Sequence, residues 1–166
     1  MNDHDCIEFL NRHQPMPADM DWDEECRKLD AVRRHLMDNP SIESLPLILN
    51  VFGDGSGYGV YQQIELVVMK FPSSVVVPHL LTALNSGTRS IKYWNAQISA
   101  NFPSEDLIKP LANLCSSGDH DLCAAAITAL GQIESPEVKT YLELLLTSDD
   151  LDDDLRELVI DGLENQ

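Results

Sequence analysis

Long apolar runs, closely spaced cysteines and basic side chains are all scarce in this chain of 166 residues. No run approaches the roughly 20 apolar residues that span a bilayer, which argues against a transmembrane helix. The N-terminus is acidic and lacks the basic and then apolar order of a signal peptide, so we expect a cytoplasmic protein. The four cysteines, Cys6, Cys26, Cys115 and Cys123, are no disulfide framework and are expected to be free, mostly buried thiols.

Basic residues number 11 against 28 acidic ones, which gives a formal net charge of −17. Nucleic acid and anionic membranes would be repelled, so neither is expected as a direct partner. The excess lies at the ends: residues 1–46 carry 11 acidic and 5 basic side chains, residues 47–110 carry 4 of each, and residues 111–166 carry 13 and 2. This imbalance fits either a solubility role or attraction to a basic protein partner.

Strand signals are also weak, since the best candidate, Val75–Val77, stands just before a proline. Apolar residues at helical spacing predict helices instead. The predicted helical stretches are 22–37, 41–52, 60–71, 91–102, 122–130 and 153–164, with a short N-terminal helix expected within 3–13. Ser135-Pro136-Glu137 is typical of a helix start, with serine as the cap and proline at the first position.

An internal repeat is marked by prolines 32 residues apart, each followed by a leucine-rich stretch and then by a glycine. The prolines are Pro46, Pro78 and Pro110, and the glycines are Gly53, Gly87 and Gly118. Each glycine is expected to end a helix in the left-handed conformation. Phe-Pro-Ser also recurs, at residues 71–73 and 102–104.

These features predict an all-α fold, a right-handed α-solenoid of helical hairpins of about 31 residues that bury their apolar faces by stacking. We expect residues 1–21 to be an N-terminal segment and residues 22–166 to be a single repeat domain. The predicted helix pairs are 22–53, 60–87, 90–118 and 120–148, with a capping helix at 153–164. Trp94 shares an apolar stripe with Ile91 and Ile98 and is expected in the core.

The two-helix period, the proline early in the second helix and the stretches Tyr93–Ile98 and Ala124–Gly131 resemble the HEAT-like repeat family. The second stretch is similar to the short HEAT repeats of phycobilin-lyase-like proteins. The resemblance covers about residues 41–164 and implies the fold rather than a function, because HEAT arrays include scaffolds, inhibitors and a few lyases.

A narrower resemblance involves the glycine-rich loop at residues 53–59 and the Tyr-Trp-Asn-Ala-Gln helix at residues 93–97. Together they resemble small bacterial HEAT-like proteins of toxin–immunity loci. This resemblance implies an immunity protein that binds and neutralises a basic toxin domain, for example a nuclease. A scaffold or adaptor, and a phycobilin-lyase-like cofactor protein, stay open as alternatives.

The glycine-rich loop lacks the Lys-Ser/Thr of a phosphate-binding loop and the preceding strand of a dinucleotide fingerprint. It is interpreted as a flexible connection between repeats or as a loop that presents Tyr58 and Tyr61 to a partner.

Metal sites are not expected, although two clusters suggest them. Asp150, Asp152 and Asp154 mimic the first three ligands of a calcium loop, but Leu155 replaces its required glycine. The acidic run is interpreted as a helix cap with a second use in partner recognition. A zinc site at Cys115, His120 and Cys123 would lack a fourth ligand.

Partner contacts are expected at the glycine-rich loop, on the helices and at the acidic run. The candidate residues are Tyr58, Tyr61, His79, Lys92, Tyr93, Lys109, Asn113, Lys139, Glu143, Asp149, Asp150, Asp152, Asp153 and Asp154. No nucleophile elbow or His-Glu-x-x-His motif occurs, so neither enzyme activity nor a cofactor is expected.

Overall fold

The computed structural model describes residues 1–17, 22–55, 57–148 and 151–166, with only the backbone of residues 22 and 23. These residues form ten α-helices and three 3-10 helices, and no β-strand occurs among them. The α-helices are α1 (Asp3–Arg12), α2 (Trp22–Asp38), α3 (Leu45–Ile48), α4 (Val60–Val68), α5 (Ser73–Ser86), α6 (Arg89–Ser99), α7 (Ile108–Cys115), α8 (His120–Leu130), α9 (Pro136–Leu146) and α10 (Asp153–Glu164). The 3-10 helices are Ile42–Ser44, Gly57–Gly59 and Glu105–Leu107. The prediction of an all-α helical-repeat solenoid is confirmed. None of these helices is long and apolar enough to cross a membrane.

The helix predicted over residues 41–52 is much shorter in the structure, where it consists of one 3-10 turn and α3. The reason is a competing tertiary hydrogen bond, because the carbonyl of Val51 accepts from the backbone N–H of Met16 at 2.8 Å. The side chain of Asn50 also donates to the carbonyl of Pro46 at 2.8 Å. The valine run 75–77 lies inside α5, as its position before Pro78 suggested.

The glycine prediction is confirmed at Gly118, which has a φ of 77° after the end of α7. It is wrong at Gly87, whose φ is −68°, and at Gly53, which is not left-handed. At both positions the neighbouring backbone leaves no room for a Cβ atom. A Cβ on Gly53 would lie 2.2 Å from the carbonyl oxygen of Met16, and one on Gly87 would lie 2.5 Å from that of Ala83.

The helices group into two compact units, residues 1–94 and 95–166. In the first unit α2 packs against α4, α1 contacts α2 and α3, and α3 contacts α5. Its core is formed by aliphatic side chains that are fully buried, namely Leu29, Val32, Leu45, Ile48, Ile64, Val67, Val76 and Leu80. Two histidine–carboxylate contacts join the α1 segment to α2: His35 Nε2 lies 2.6 Å from Asp3, and His13 Nε2 lies 3.2 Å from Glu25.

In the second unit α8 packs against both α7 and α10, and α9 packs against α10. Its fully buried side chains are Leu107, Leu111, Ala126, Ile127, Leu130, Val138, Leu142 and Val159. Side-chain caps begin three of these helices. Asp119 accepts from Leu122 N, Ser135 from Glu137 N and Asp152 from Leu155 N. The predicted start at Ser135-Pro136 is therefore confirmed.

Candidate functional site

The glycine-rich loop holds an exposed tyrosine in a left-handed backbone conformation. Gly55, Gly57 and Gly59 have φ values of 102°, 59° and 85°, and Tyr58 between the last two has a φ of 44°. A non-glycine residue rarely adopts this conformation, which carries an energetic cost of about 1 to 3 kcal/mol. The Tyr58 side chain is 73% exposed. The loop therefore presents Tyr58 at the surface, as expected from the sequence.

Tyr61, by contrast, is a core residue, and the expectation that it contacts a partner is wrong. Its side chain is only 1% exposed, and its hydroxyl accepts a hydrogen bond from the backbone N–H of Gly53 at 3.0 Å. Gly57 lies directly on its ring, because a Cβ there would be 2.5 Å from the ring carbon Cγ. The described part of the loop therefore packs on Tyr61.

Trp94 is half-buried at the edge of an aromatic cluster rather than fully in the core. Its ring stacks on Phe52 at a centroid distance of 5.8 Å and meets Tyr61 edge-on at 5.6 Å. Tyr93, also half-buried, contacts Trp94 at 5.3 Å. The apolar stripe of α6 predicted the packing of Trp94 correctly, but it did not predict that part of the ring stays accessible.

A basic groove lies beside Tyr58. Tyr58 shares its lining with Arg27, Asp30, Arg33 and Arg34.

 The groove measures about 410 Å³ in volume. Asp30 accepts from the guanidinium groups of both Arg33, at 2.8 Å, and Arg34. Sequence reasoning missed this groove, although three arginines within residues 27–34 of one predicted helix were a signal for it.

The second helices of the C-terminal unit carry four of the expected contact residues. Lys109 and Asn113 on α7, and Lys139 and Glu143 on α9, are all exposed. A hydrogen bond at 3.3 Å from the Tyr141 hydroxyl to the Ala112 carbonyl joins the two helices. The structure therefore places these four residues on neighbouring helices of one unit. In the N-terminal unit, His79 on α5 and Lys92 on α6 are half-buried.

The acidic run leads into α10 as its cap. Asp152 accepts from Leu155 N at 2.9 Å, while Asp153 and Asp154 are exposed in the first turn. These carboxylates face the positive end of the helix dipole, which they stabilise. The candidates Asp149 and Asp150 lie outside the described residues. Within the described part of the chain, no group of three or more histidine, cysteine or carboxylate side chains is arranged to hold a metal ion.

Cys115, His120 and Cys123 line one cavity of about 260 Å³ in the C-terminal unit. His120 Nε2 lies 3.1 Å from Asp152, so the tertiary fold brings a carboxylate to this cluster. The Cys115 thiol is hydrogen-bonded to Cys123, which together with burial raises the pKa of Cys115. The same hydrogen bond, helped by the charge of His120, lowers the pKa of the Cys123 thiol. The pKa values of the two thiols are thus shifted in opposite directions.

Residues 77–164, more than half of the chain, match the family described as HEAT repeats. The chain belongs to this family. HEAT repeats generally mediate protein–protein interactions and are generally non-enzymatic scaffolds. No curated protein matches the chain. The family and the fold together define a protein-interaction scaffold, and they leave the choice of partner to the surface of this particular chain.

Proposed function

We propose that this protein is a non-enzymatic immunity protein that binds and neutralises a basic toxin domain in the cytosol, for example a nuclease. The single observation that carries the proposal is the acidic surface of the C-terminal unit. Among the described residues between 111 and 166, ten carboxylate side chains are exposed. They are Asp121, Glu134, Glu137, Glu143, Asp152, Asp153, Asp154, Glu157, Asp161 and Glu164.

Little basic charge opposes this surface. Residues 111–166 contain two basic side chains, Lys139 and Arg156. The guanidinium of Arg156 is used within the fold, where it donates to the carbonyls of Leu146, Ser148 and Leu151 at 2.9, 3.3 and 3.3 Å. The side chain of Arg156 therefore links the end of α9 to Leu151. The exposed carboxylates are left to produce a negative potential over the unit.

Such a potential suits a partner with a basic cleft. A nuclease needs cationic side chains to bind phosphate, and an acidic protein can be steered onto them at a high association rate. The resemblance of the glycine-rich loop to immunity proteins supports the same interpretation. One alternative is a scaffold or adaptor with a different basic partner. A second alternative is a phycobilin-lyase-like protein, which a bound pigment on the purified protein would favour.

Co-expression tests the function directly. A small toxic domain from the neighbouring open reading frame is the candidate to express with and without the protein, and we expect growth to be restored and a stable complex to elute from a sizing column. Continued cell death without a complex contradicts the immunity role. Restored growth without a complex contradicts direct neutralisation.

Matched charge variants test the electrostatic part. Asp153→Asn with Asp154→Asn removes two exposed carboxylates from the first turn of α10, and Glu105→Gln with Asp106→Asn removes two from a 3-10 turn of the same unit. If the α10 cap faces the partner, the first pair of changes lowers the association rate several-fold more than the second. Equal rates in both variants, or an association rate that added salt does not lower, contradict the assigned role of this surface.

A further inference from the structure

We propose that Cys115 and Cys123 are a redox-active pair that hydrogen peroxide converts into an intramolecular disulfide between α7 and α8. The proposal is independent of the proposed function, since it concerns a different chemistry in the same unit. Cys115 is the last residue of α7, and Cys123 lies in the first turns of α8. The short connection between these helices turns back at Gly118, so both cysteines border one cavity.

The geometry brings the two thiols together. The S–H of Cys115 donates to the backbone carbonyl oxygen of Cys123 at 3.9 Å, and both cysteines line the same cavity. The cavity of about 260 Å³ that both residues line has space for a molecule as small as hydrogen peroxide. Three leucines, Leu145, Leu151 and Leu155, form its apolar wall.

The surroundings assign different roles to the two sulfurs. Cys123 is the attacking thiol, because the hydrogen bond from Cys115 and the nearby His120 stabilise its thiolate. Asp152, which pairs with His120 at 3.1 Å, opposes this effect in part. Cys115, whose pKa is raised by its hydrogen bond to Cys123 and by burial, keeps its proton and is the resolving thiol.

The reaction balances in two steps. The Cys123 thiolate attacks one oxygen of hydrogen peroxide, the O–O bond breaks, and a sulfenic acid and hydroxide form. The Cys115 sulfur, after losing its proton to that hydroxide, attacks the Cys123 sulfur and displaces a second hydroxide, which is protonated to water. Overall, two thiols lose two electrons and two protons, and peroxide is reduced to two waters.

Mass spectrometry of the intact wild-type protein tests the proposal. Trypsin leaves residues 93–139 as one peptide, because Lys109 is followed by Pro110, and this peptide holds both thiols. After peroxide treatment we expect the peptide to lose about 2 Da and to take up no alkylating reagent, and we expect a thiol reductant to reverse both changes. Cys6 is the internal control, since burial and Asp3 raise its pKa to about 11 and should keep it reduced.

Two variants distinguish the roles. Cys115→Ser should stop the reaction at the sulfenic acid, which a dimedone adduct on Cys123 reports, whereas Cys123→Ser should leave Cys115 unmodified. The melting temperature of the wild type should rise by several degrees on oxidation, because the disulfide closes a loop across the hairpin. A wild-type peptide that still takes up two alkylating groups, a disulfide between two molecules, or oxidation of Cys123 to sulfinic acid without a disulfide overturns the proposal.

Discussion

The hydroxyl of Tyr61 accepts a hydrogen bond from the backbone N–H of Gly53 at 3.0 Å, and both residues are buried. Tyr61→Phe removes the acceptor and leaves a buried N–H without this partner, so we expect a loss of about 1 to 3 kcal/mol in the free energy of unfolding. Urea denaturation measures it. Tyr58→Phe is the matched control, because Tyr58 is 73% exposed and its change should be close to neutral. An equal effect of both changes contradicts this assignment.

Gly131 and Gly162 let α8 and α10 approach closely. A Cβ on Gly131 would lie 2.8 Å from the Cα of Gly162, a backbone atom that cannot move aside alone. We expect Gly131→Ala to destabilise the protein by about 1 to 3 kcal/mol, as overpacking does, despite the better helix propensity of alanine. Thermal unfolding measures the change, and Gln132→Ala, at the exposed neighbouring position, is the control. A stabilised Gly131→Ala protein would show that the helices can separate freely.

At the start of α10, Asp152 is the capping carboxylate and Asp153 follows it in the first turn. Asp152→Ala removes the acceptor for Leu155 N and should cost about 1 kcal/mol in stability. Asp153→Ala changes the same charge at the next position but leaves the cap in place, so its cost should be clearly smaller. Comparison of the two denaturation midpoints shows whether the contacts of Asp152, which are the cap and the pairing with His120 at 3.1 Å, matter beyond its charge.

Truncation of two aromatic residues of the N-terminal unit, Phe52 and Trp94, should lower the free energy of unfolding by different amounts. Phe52 is fully buried, and Phe52→Ala should cost about 3 to 5 kcal/mol. Trp94→Ala should cost less, about 2 kcal/mol, because the ring is half-buried and only part of its surface is removed from water. Equal losses in chemical denaturation would mean that Trp94 contributes to the core as fully as Phe52 does.

Stability should decrease at alkaline pH through Cys6. Burial, with a contribution from Asp3, raises the pKa of this thiol from 9.0 to about 11. Between these values the unfolded chain loses the thiol proton while the folded chain keeps it, so the unfolded state binds fewer protons and the free energy of unfolding falls. Below pH 9.0 this contribution is fully present. Cys6→Ala should flatten the decrease between pH 9.0 and about 11, measured by urea denaturation at each pH.

Much of the fold was predictable because it depends on local chemistry. The apolar spacing of residues 122–130 and the Ser135-Pro136-Glu137 start correspond to α8 and α9, whose periodicity and caps are properties of neighbouring residues. The helix over residues 41–52 was predicted too long, because the bond from Met16 N to the Val51 carbonyl joins residues far apart in sequence. No pattern within either segment indicates that bond.

The candidate site was less predictable for the same reason. The sequence alone determined the all-α repeat, the HEAT-like pattern and the acidic excess of the last third of the chain, since period and charge are read residue by residue. Only the tertiary structure decided that Tyr58 is exposed while Tyr61 is buried, and that Cys115, Cys123, His120 and Asp152 border one cavity. Burial and proximity depend on which helix faces pack together, and that packing is set by contacts between residues that are distant along the chain.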